Sequence, residues 1–193
     1  MKLIHFLKSI LAALLLVALL QLTGFMGTAS FYAQSAALST GFLDAGTEEL
    51  NSPKQFEYDF IIKDLTGTKF NFKKFKGKVV FLNMWATWCG PCRAEMADIQ
   101  KLYDKVDKDK VVFVMLSIDD DKNSAKVGSY ISNKAFTFPV FMPSGNLPEQ
   151  LQVPSIPTTF VLSKDGNIVA KEVGSKNYNT DKFKKFLEDL ANN

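Results

Sequence analysis

The sequence predicts an α/β sandwich on a mixed sheet, parallel in the middle, with an antiparallel edge hairpin and helices on both faces. Three observations carry this. Residues 79–82 and 111–116 are unbroken runs of β-branched, aromatic and aliphatic side chains, as in strands buried on both faces. Between them Met96, Ile99, Leu102, Tyr103 and Val106 recur at helical spacing, which makes a strand–helix–strand unit. Residues 158–162 and 168–173 flank Lys164-Asp165-Gly166-Asn167, and an Asp-Gly pair between two apolar runs is a strong hairpin signal.

The elements follow in chain order. Met1 to Lys8 is short and basic, residues 10–20 are eleven consecutive apolar residues, and no charge occurs between Lys8 and Asp44. That layout belongs to an export signal, and small residues such as Gly27-Thr28-Ala29 and Ser35-Ala36-Ala37 follow it. A spanning helix needs about 20 apolar residues, and the run reaches that length only by admitting Gln21, Thr23 and Gly24. Residues 1–33 are therefore read as a signal peptide or a membrane anchor. Either way Lys2 and Lys8 stay in the cytoplasm and the remainder crosses the membrane. Residues 34–54, polar and small with Pro53 near the end, read as a flexible tether.

Residues 55–193 are long enough for one domain with a core of ordinary size. Within it, 60–64 and 69–72 flank Thr66-Gly67, a hairpin pattern. Ser124 is placed to cap a helix carrying Val127, Tyr130 and Ile131, and a short strand follows near 139–142. Thr180 is an N-cap, with Phe183, Phe186, Leu187 and Leu190 on one helical face. Residues 51–193 carry 21 of the 23 basic and 17 of the 20 acidic side chains, a net of +4. That balance gives no case for nucleic-acid binding. The one histidine, His5, lies in the leader. This removes Ser/His and Cys/His nucleophile pairs, His-ligated metals and haem ligation by histidine from the folded part. Two cysteines alone complete neither a disulfide framework nor a tetrahedral zinc site, so no metal is expected.

Both cysteines lie in Trp88-Cys89-Gly90-Pro91-Cys92, directly after a buried strand and at the start of a helix. A helix N-terminus presents unpaired N–H groups and a positive dipole end, which favour an anion. In such settings the thiol pKa falls from about 8.5 to roughly 3.5–7.5, and the thiolate is the reactive species. Pro91 suits a first helical turn because no N–H is needed there. A zinc half-site shared by two chains and a purely structural short-range disulfide are the competing uses of the pair.

The segment Phe-Leu-Asn-Met-Trp-Ala-Thr-Trp-Cys-Gly-Pro-Cys-Arg-Ala-Glu-Met, residues 81–96, resembles the active-site segment of thioredoxin-fold proteins of the TlpA and ResA type, within the redoxin family. The similarity runs from about Phe56 to Leu190. It includes the Ile62-Lys63-Asp64-Leu65-Thr66-Gly67 entry, the Lys76-Gly77-Lys78-Val79 approach, and Ile156-Pro157-Thr158-Thr159-Phe160 followed by Asp165-Gly166. An added helix and strand between about Asp119 and Leu151 match the insert of this branch. The resemblance implies a thioredoxin-like three-layer α/β/α sandwich with an N-terminal β-hairpin and a central insert.

It also implies a function. Relatives are exported, often membrane-tethered thiol–disulfide oxidoreductases on the extracytoplasmic (periplasmic) side of a bacterial inner membrane. Cys89 would be the nucleophile and Cys92 the resolving thiol, with no cofactor beyond the cysteine pair. Disulfide-bearing client proteins and a membrane dithiol electron donor are the implied partners, and cytochrome c maturation a plausible setting. The family's cis-proline falls on Pro157, which turns the Ile156 backbone outward for an extended partner. Trp88, Gly90, Pro91, Ile156 and Pro157 are then the residues expected to meet it. Asn83 stands where plain thioredoxin has a buried Asp. Glu95, one turn beyond Cys92, is accordingly the expected proton acceptor with raised pKa, against the alternatives of a surface glutamate or an Arg93 partner. Ala97 replaces a proline usual in relatives, which predicts a straighter helix. Gly-Pro between the cysteines favours a reducing role. Competing readings are a thiol peroxidase of the peroxiredoxin type, whose motif is not matched, and a tethered docking module. Lys69, Lys73, Lys74, Lys76 and Lys78 read as a solvated edge, and Asp119-Asp120-Asp121 as a polar loop.

Overall fold

The computed structural model describes residues 54–192 and, before them, 25–38, 40, 41, 43–47 and the positions 5, 6, 8, 10 and 11. Most of the apolar run expected to be a signal or anchor lies outside the described residues. Among those described, no helix is long and apolar enough to cross a membrane. Helix α1 (Phe25–Leu38) bridges the boundary expected between leader and tether, and packs along a helix of the domain.

Eight strands make one mixed sheet among the described residues: β1 (Lys54–Gln55), β2 (Ile61–Asp64), β3 (Lys69–Asn71), β4 (Val79–Trp85), β5 (Val111–Ser117), β6 (Val140–Pro143), β7 (Thr158–Leu162) and β8 (Asn167–Val173). Their order is β1-β8-β7-β4-β5-β6-β2-β3. The β4–β5 and β5–β6 pairs are parallel, and all other pairs are antiparallel. The parallel centre and the two hairpins match the sequence patterns that predicted them. All seven residues of β4 are buried, which explains a run without polar alternation.

The β2–β3 turn is built by Asp64. Its Oδ1 accepts from the Thr66 and Thr68 N–H groups at 2.9 and 3.0 Å and from Thr66 Oγ1. Gly67 takes φ +89°, which a side chain would resist.

Helix α2 (Gly90–Lys105) connects β4 to β5, and α3 (Ser124–Asn133) connects β5 to β6; α4 (Asp181–Asn192) closes the chain. Thr180 caps α4 as expected, with Oγ1 accepting from Phe183 N–H at 3.1 Å. Ser124 is the first residue of α3 rather than its cap, which falls on Asn123 without a side-chain bond.

The expectation of helices on both faces is corrected. Val79, Phe81 and Trp85 point into a core shared with Met96, Ile99, Leu102, Val127, Ile131, Phe183 and Leu187 from all three domain helices. Val80, Leu82 and Met84 point the other way, into a core closed by Phe56, Tyr58, Phe60, Phe72, Phe75 and Leu151. The cause is topological. Both parallel crossovers step in the same direction along the sheet, β4 to β5 to β6, and right-handed crossovers then place both helices on one face. The opposite face is covered by the arm of residues 56–60 and short 3-10 turns at Phe72–Phe75 and Glu149–Leu151. Aromatic rings fill it: Phe72 stacks on Phe60 at 4.6 Å between centroids and meets Phe56, Tyr58 and Phe75.

Phe72 is fully buried at the centre of that cluster. Phe72→Ala is expected to lower unfolding free energy by about 3–5 kcal/mol in a denaturant titration. Dithiol reactivity of the folded fraction should be unchanged, because the cysteines lie on the other face.

Candidate active site

Strand β4 ends at Trp85 and α2 begins at Gly90, so the turn between them is fixed at both ends. Asp119, just past β5, holds its middle. Its carboxylate accepts from Thr87 N–H at 2.8 Å, Thr87 Oγ1 at 2.6 Å and Ser117 Oγ at 2.8 Å. Asp120 and Asp121 are exposed, as a polar loop requires, but Asp119 is buried and brackets the cysteine-bearing turn. The sequence signal is the first of three consecutive aspartates after a buried strand, which no spacing rule ties to Thr87.

Cys89 is the N-cap of α2, with extended φ and ψ of −84° and 106° and Pro91 in the first turn. Its Sγ accepts from Cys92 N–H at 3.2 Å. That N–H is one of the amides a helix start leaves without an intrahelical acceptor, and it stands ready to stabilise a thiolate. Cys89 and Cys92 are disulfide-bonded, with Cα atoms 5.3 Å apart. Cys89 retains 6% exposure and Cys92 none. Only the first sulfur can be approached from outside.

The approach passes the Ile156–Pro157 peptide, which is cis. The Ile156 carbonyl lies 3.8 Å from Cys89 Sγ, a contact and not a hydrogen bond, since a disulfide sulfur carries no proton. Thr158 Oγ1 donates to Ser155 O at 2.8 Å and Gly174 N–H to Pro157 O at 2.9 Å, which fixes the loop from both sides. Trp88 is 61% exposed beside the pair, a large apolar surface at the mouth of the site. Trp88, Cys89, Gly90, Pro91, Ile156 and Pro157 thus gather where the central strand β4 ends and its antiparallel neighbour β7 begins.

Glu95 is fully buried, so it is neither a surface residue nor a partner of Arg93. The Arg93 guanidinium lies 5.6 Å from the ring centres of both Phe31 and Tyr130. Glu95 Oε1 accepts from Asn83 Nδ2 at 2.8 Å, and Oε2 from Lys176 N–H at 3.0 Å. Asn83 gives its other amide proton to Thr159 Oγ1 at 2.8 Å. Burial pushes the Glu95 carboxyl up to about 8, against the opposing pull of the Lys176 and Asn83 donors and with a smaller upward push from Asp98. Glu95 sits three residues from the buried Cys92, on a neighbouring position of the same helix.

Residues that the sequence did not single out complete the surroundings. Ser175 Oγ donates to Pro91 O at 2.8 Å. Tyr178, fully buried, packs its ring against Phe81 and Phe183. Helix α2 runs without interruption through Ala97, and Ala97 lines a cavity of about 440 Å³ between α1 and the domain.

A disulfide at a helix N-terminus, one sulfur reachable past a cis-proline and the other buried, defines a thiol–disulfide exchange protein of thioredoxin-like fold. Comparison with known proteins agrees: the chain belongs to the Redoxin family, whose model matches residues 53–190. It is 37% identical over 119 residues to the thiol-disulfide oxidoreductase ResA of Bacillus cereus, covering 61% of this chain and 68% of that one. It is 32% identical over 170 residues to the thioredoxin-like protein YneN of Bacillus subtilis, covering 88% and 92%. The crystal structure of StoA from Bacillus subtilis matches with a TM-score of 0.55 at 28% identity, over 66% of this chain and 94% of that one. The protein is a thiol–disulfide oxidoreductase.

The raised Glu95 pKa has a thermodynamic signature. Glu95 in the unfolded chain releases its proton near 4.5, whereas the fold holds it to about 8. Its contribution to stability is complete below pH 4.5, declines as pH rises through this window, and is lost above it. Thermal unfolding of the oxidised protein should therefore show a falling melting temperature between these limits. Glu95→Gln should flatten that decline.

Proposed function

We propose that this protein reduces disulfides of partner proteins outside the cytoplasm, with Cys89 as nucleophile and Cys92 as resolving thiol. The observation that carries this is the asymmetry of the pair: one sulfur held against an amide donor with a narrow opening to solvent, its partner fully enclosed. Cys89 thiolate attacks a client disulfide, expelling one client sulfur and forming a mixed disulfide. Cys92 gives its proton to Glu95 and attacks Cys89 Sγ, expelling the second client sulfur. The client gains two electrons and the Cys89–Cys92 disulfide forms, as found in this structure. A carboxyl whose pKa is raised to about 8 lies close to the ordinary thiol value of about 8.5, so its ionised form takes the Cys92 proton at little cost in free energy. An extended client segment pairs with the Ile156 backbone beside cis-Pro157, and Trp88 offers it an apolar contact.

The basic N-terminus followed by an apolar run supports delivery across a bacterial inner membrane, with the leader either cleaved or kept as an anchor. A membrane dithiol carrier then restores the reduced state. The likeness to ResA supports a place in cytochrome c maturation, with apocytochrome c as a client.

Three measurements test this. Cys92→Ser should accumulate mixed disulfides with client proteins, and Cys89→Ser should accumulate none; equal capture by both would overturn the assignment. Glu95→Gln should slow release of client from the mixed disulfide by about 100-fold while leaving the first attack unchanged. Equal slowing of both steps would remove Glu95 from its role. The midpoint potential should lie below that of the glutathione couple, and a value near about −120 mV would mark an oxidant instead.

A further inference from the structure

One short loop after β8 touches the exchange site at successive residues. Gly174 N–H donates to Pro157 O at 2.9 Å, beside the partner-docking peptide. Ser175 Oγ donates to Pro91 O at 2.8 Å, inside the dithiol turn. Lys176 N–H donates to Glu95 Oε2 at 3.0 Å. Tyr178 then drops fully into the core. Together these residues roof the Glu95 carboxyl.

The loop is itself held from outside by residues of the stretch expected to be a passive tether. Asn177 N–H donates to Leu43 O at 2.7 Å, and Ala45 N–H returns a bond to Asn177 O at 3.0 Å. Asn177 Nδ2 donates to Asp44 Oδ1 at 2.8 Å. Gly46 N–H donates to Glu172 Oε1 at 2.9 Å, and the other Glu172 oxygen pairs with Lys176 Nζ at 3.3 Å. Ala45 is buried and joins the helix-side core. A chain that merely spanned a distance would make none of these bonds.

We propose that residues 43–46 are a working part of the exchange site, a strap that holds the 174–178 loop down over Glu95 and keeps water from its carboxyl; this rests on Glu95 serving the exchange described above. Asn177, Asp44 and Ala45 are positioning residues, acting through the loop. The groups that face Glu95 are Asp98 from its own helix, Tyr178 from the loop, and the neutral Asn83 and Thr159 from β4 and β7. The Lys176 ammonium is turned away to Glu172. Exclusion of water is therefore the main influence on this carboxyl. Lifting the roof would let Glu95 ionise at lower pH, whereas loss of the Lys176 donor alone would move ionisation higher. The sign separates the two.

The test follows Glu95 ionisation by carboxyl carbon NMR in the full-length protein, with the signal assigned through Glu95→Gln. Two variants release the strap: deletion of residues 43–47, and Ala45→Asp, which puts a charge where the buried methyl packs. Both should lower the Glu95 midpoint by about one pH unit or more, and Ala45→Ser should not move it. A midpoint unchanged or raised in the strap variants would overturn the proposal. Should the deletion fail to fold, Ala45→Asp decides alone. No client enters this measurement, so its outcome stands apart from whether Cys92→Ser captures partners.

Discussion

A helix must begin with amides that no preceding turn can satisfy, and this chain places a sulfur where those amides point. Cys89 caps α2 through the Cys92 N–H, so the reactive atom is held by the same bond that starts the helix. The buried strand β4 delivers the chain to that point, and Asp119 fixes the turn that links them. Because Cys92 follows inside the first turn, its sulfur is carried inward and sealed. Depth thereby distinguishes the two sulfurs before any partner arrives.

The second constraint is a carboxyl with no access to water. Fully buried, Glu95 keeps its place because Asn83 and the Lys176 amide satisfy both oxygens. A buried acid of this kind is costly when ionised and cheap when protonated. Asn83 suits this setting because it supplies donors to Glu95 and Thr159 without adding a competing acid.

Much of this is legible in the sequence, and the reason differs from residue to residue. The runs at 79–82 and 111–116 announce central strands because burial on both faces suppresses polar alternation. Cys89 and Cys92 declare themselves through spacing and position at a helix start. Pro157 does so only through family resemblance, since a lone X–Pro bond is cis in about 5–6% of cases. Glu95 is reachable as the nearest acid along the helix, but its burial is not, because the covering residues come 81 positions later in the chain. Asp119 and Ser175 belong to the same class: each acts across the fold on a backbone group, and backbone partners leave no mark in sequence. The side on which the helices lie is hidden for another reason. It depends on the direction of two successive crossovers, which local patterns do not encode.

The aromatic face has a consequence for how the molecule is assembled. Its covering arm comes early in the chain, yet the pairing that secures it comes late: Lys54 lies opposite Ile168, and Phe56 N–H bonds to Gly166 O. A polypeptide synthesised from its N-terminus presents Phe56, Tyr58 and Phe60 long before β7 and β8 exist. Closing so long a loop is slow. Those rings stay uncovered until the last third of the chain arrives, so the aromatic face is the late-closing half of the molecule.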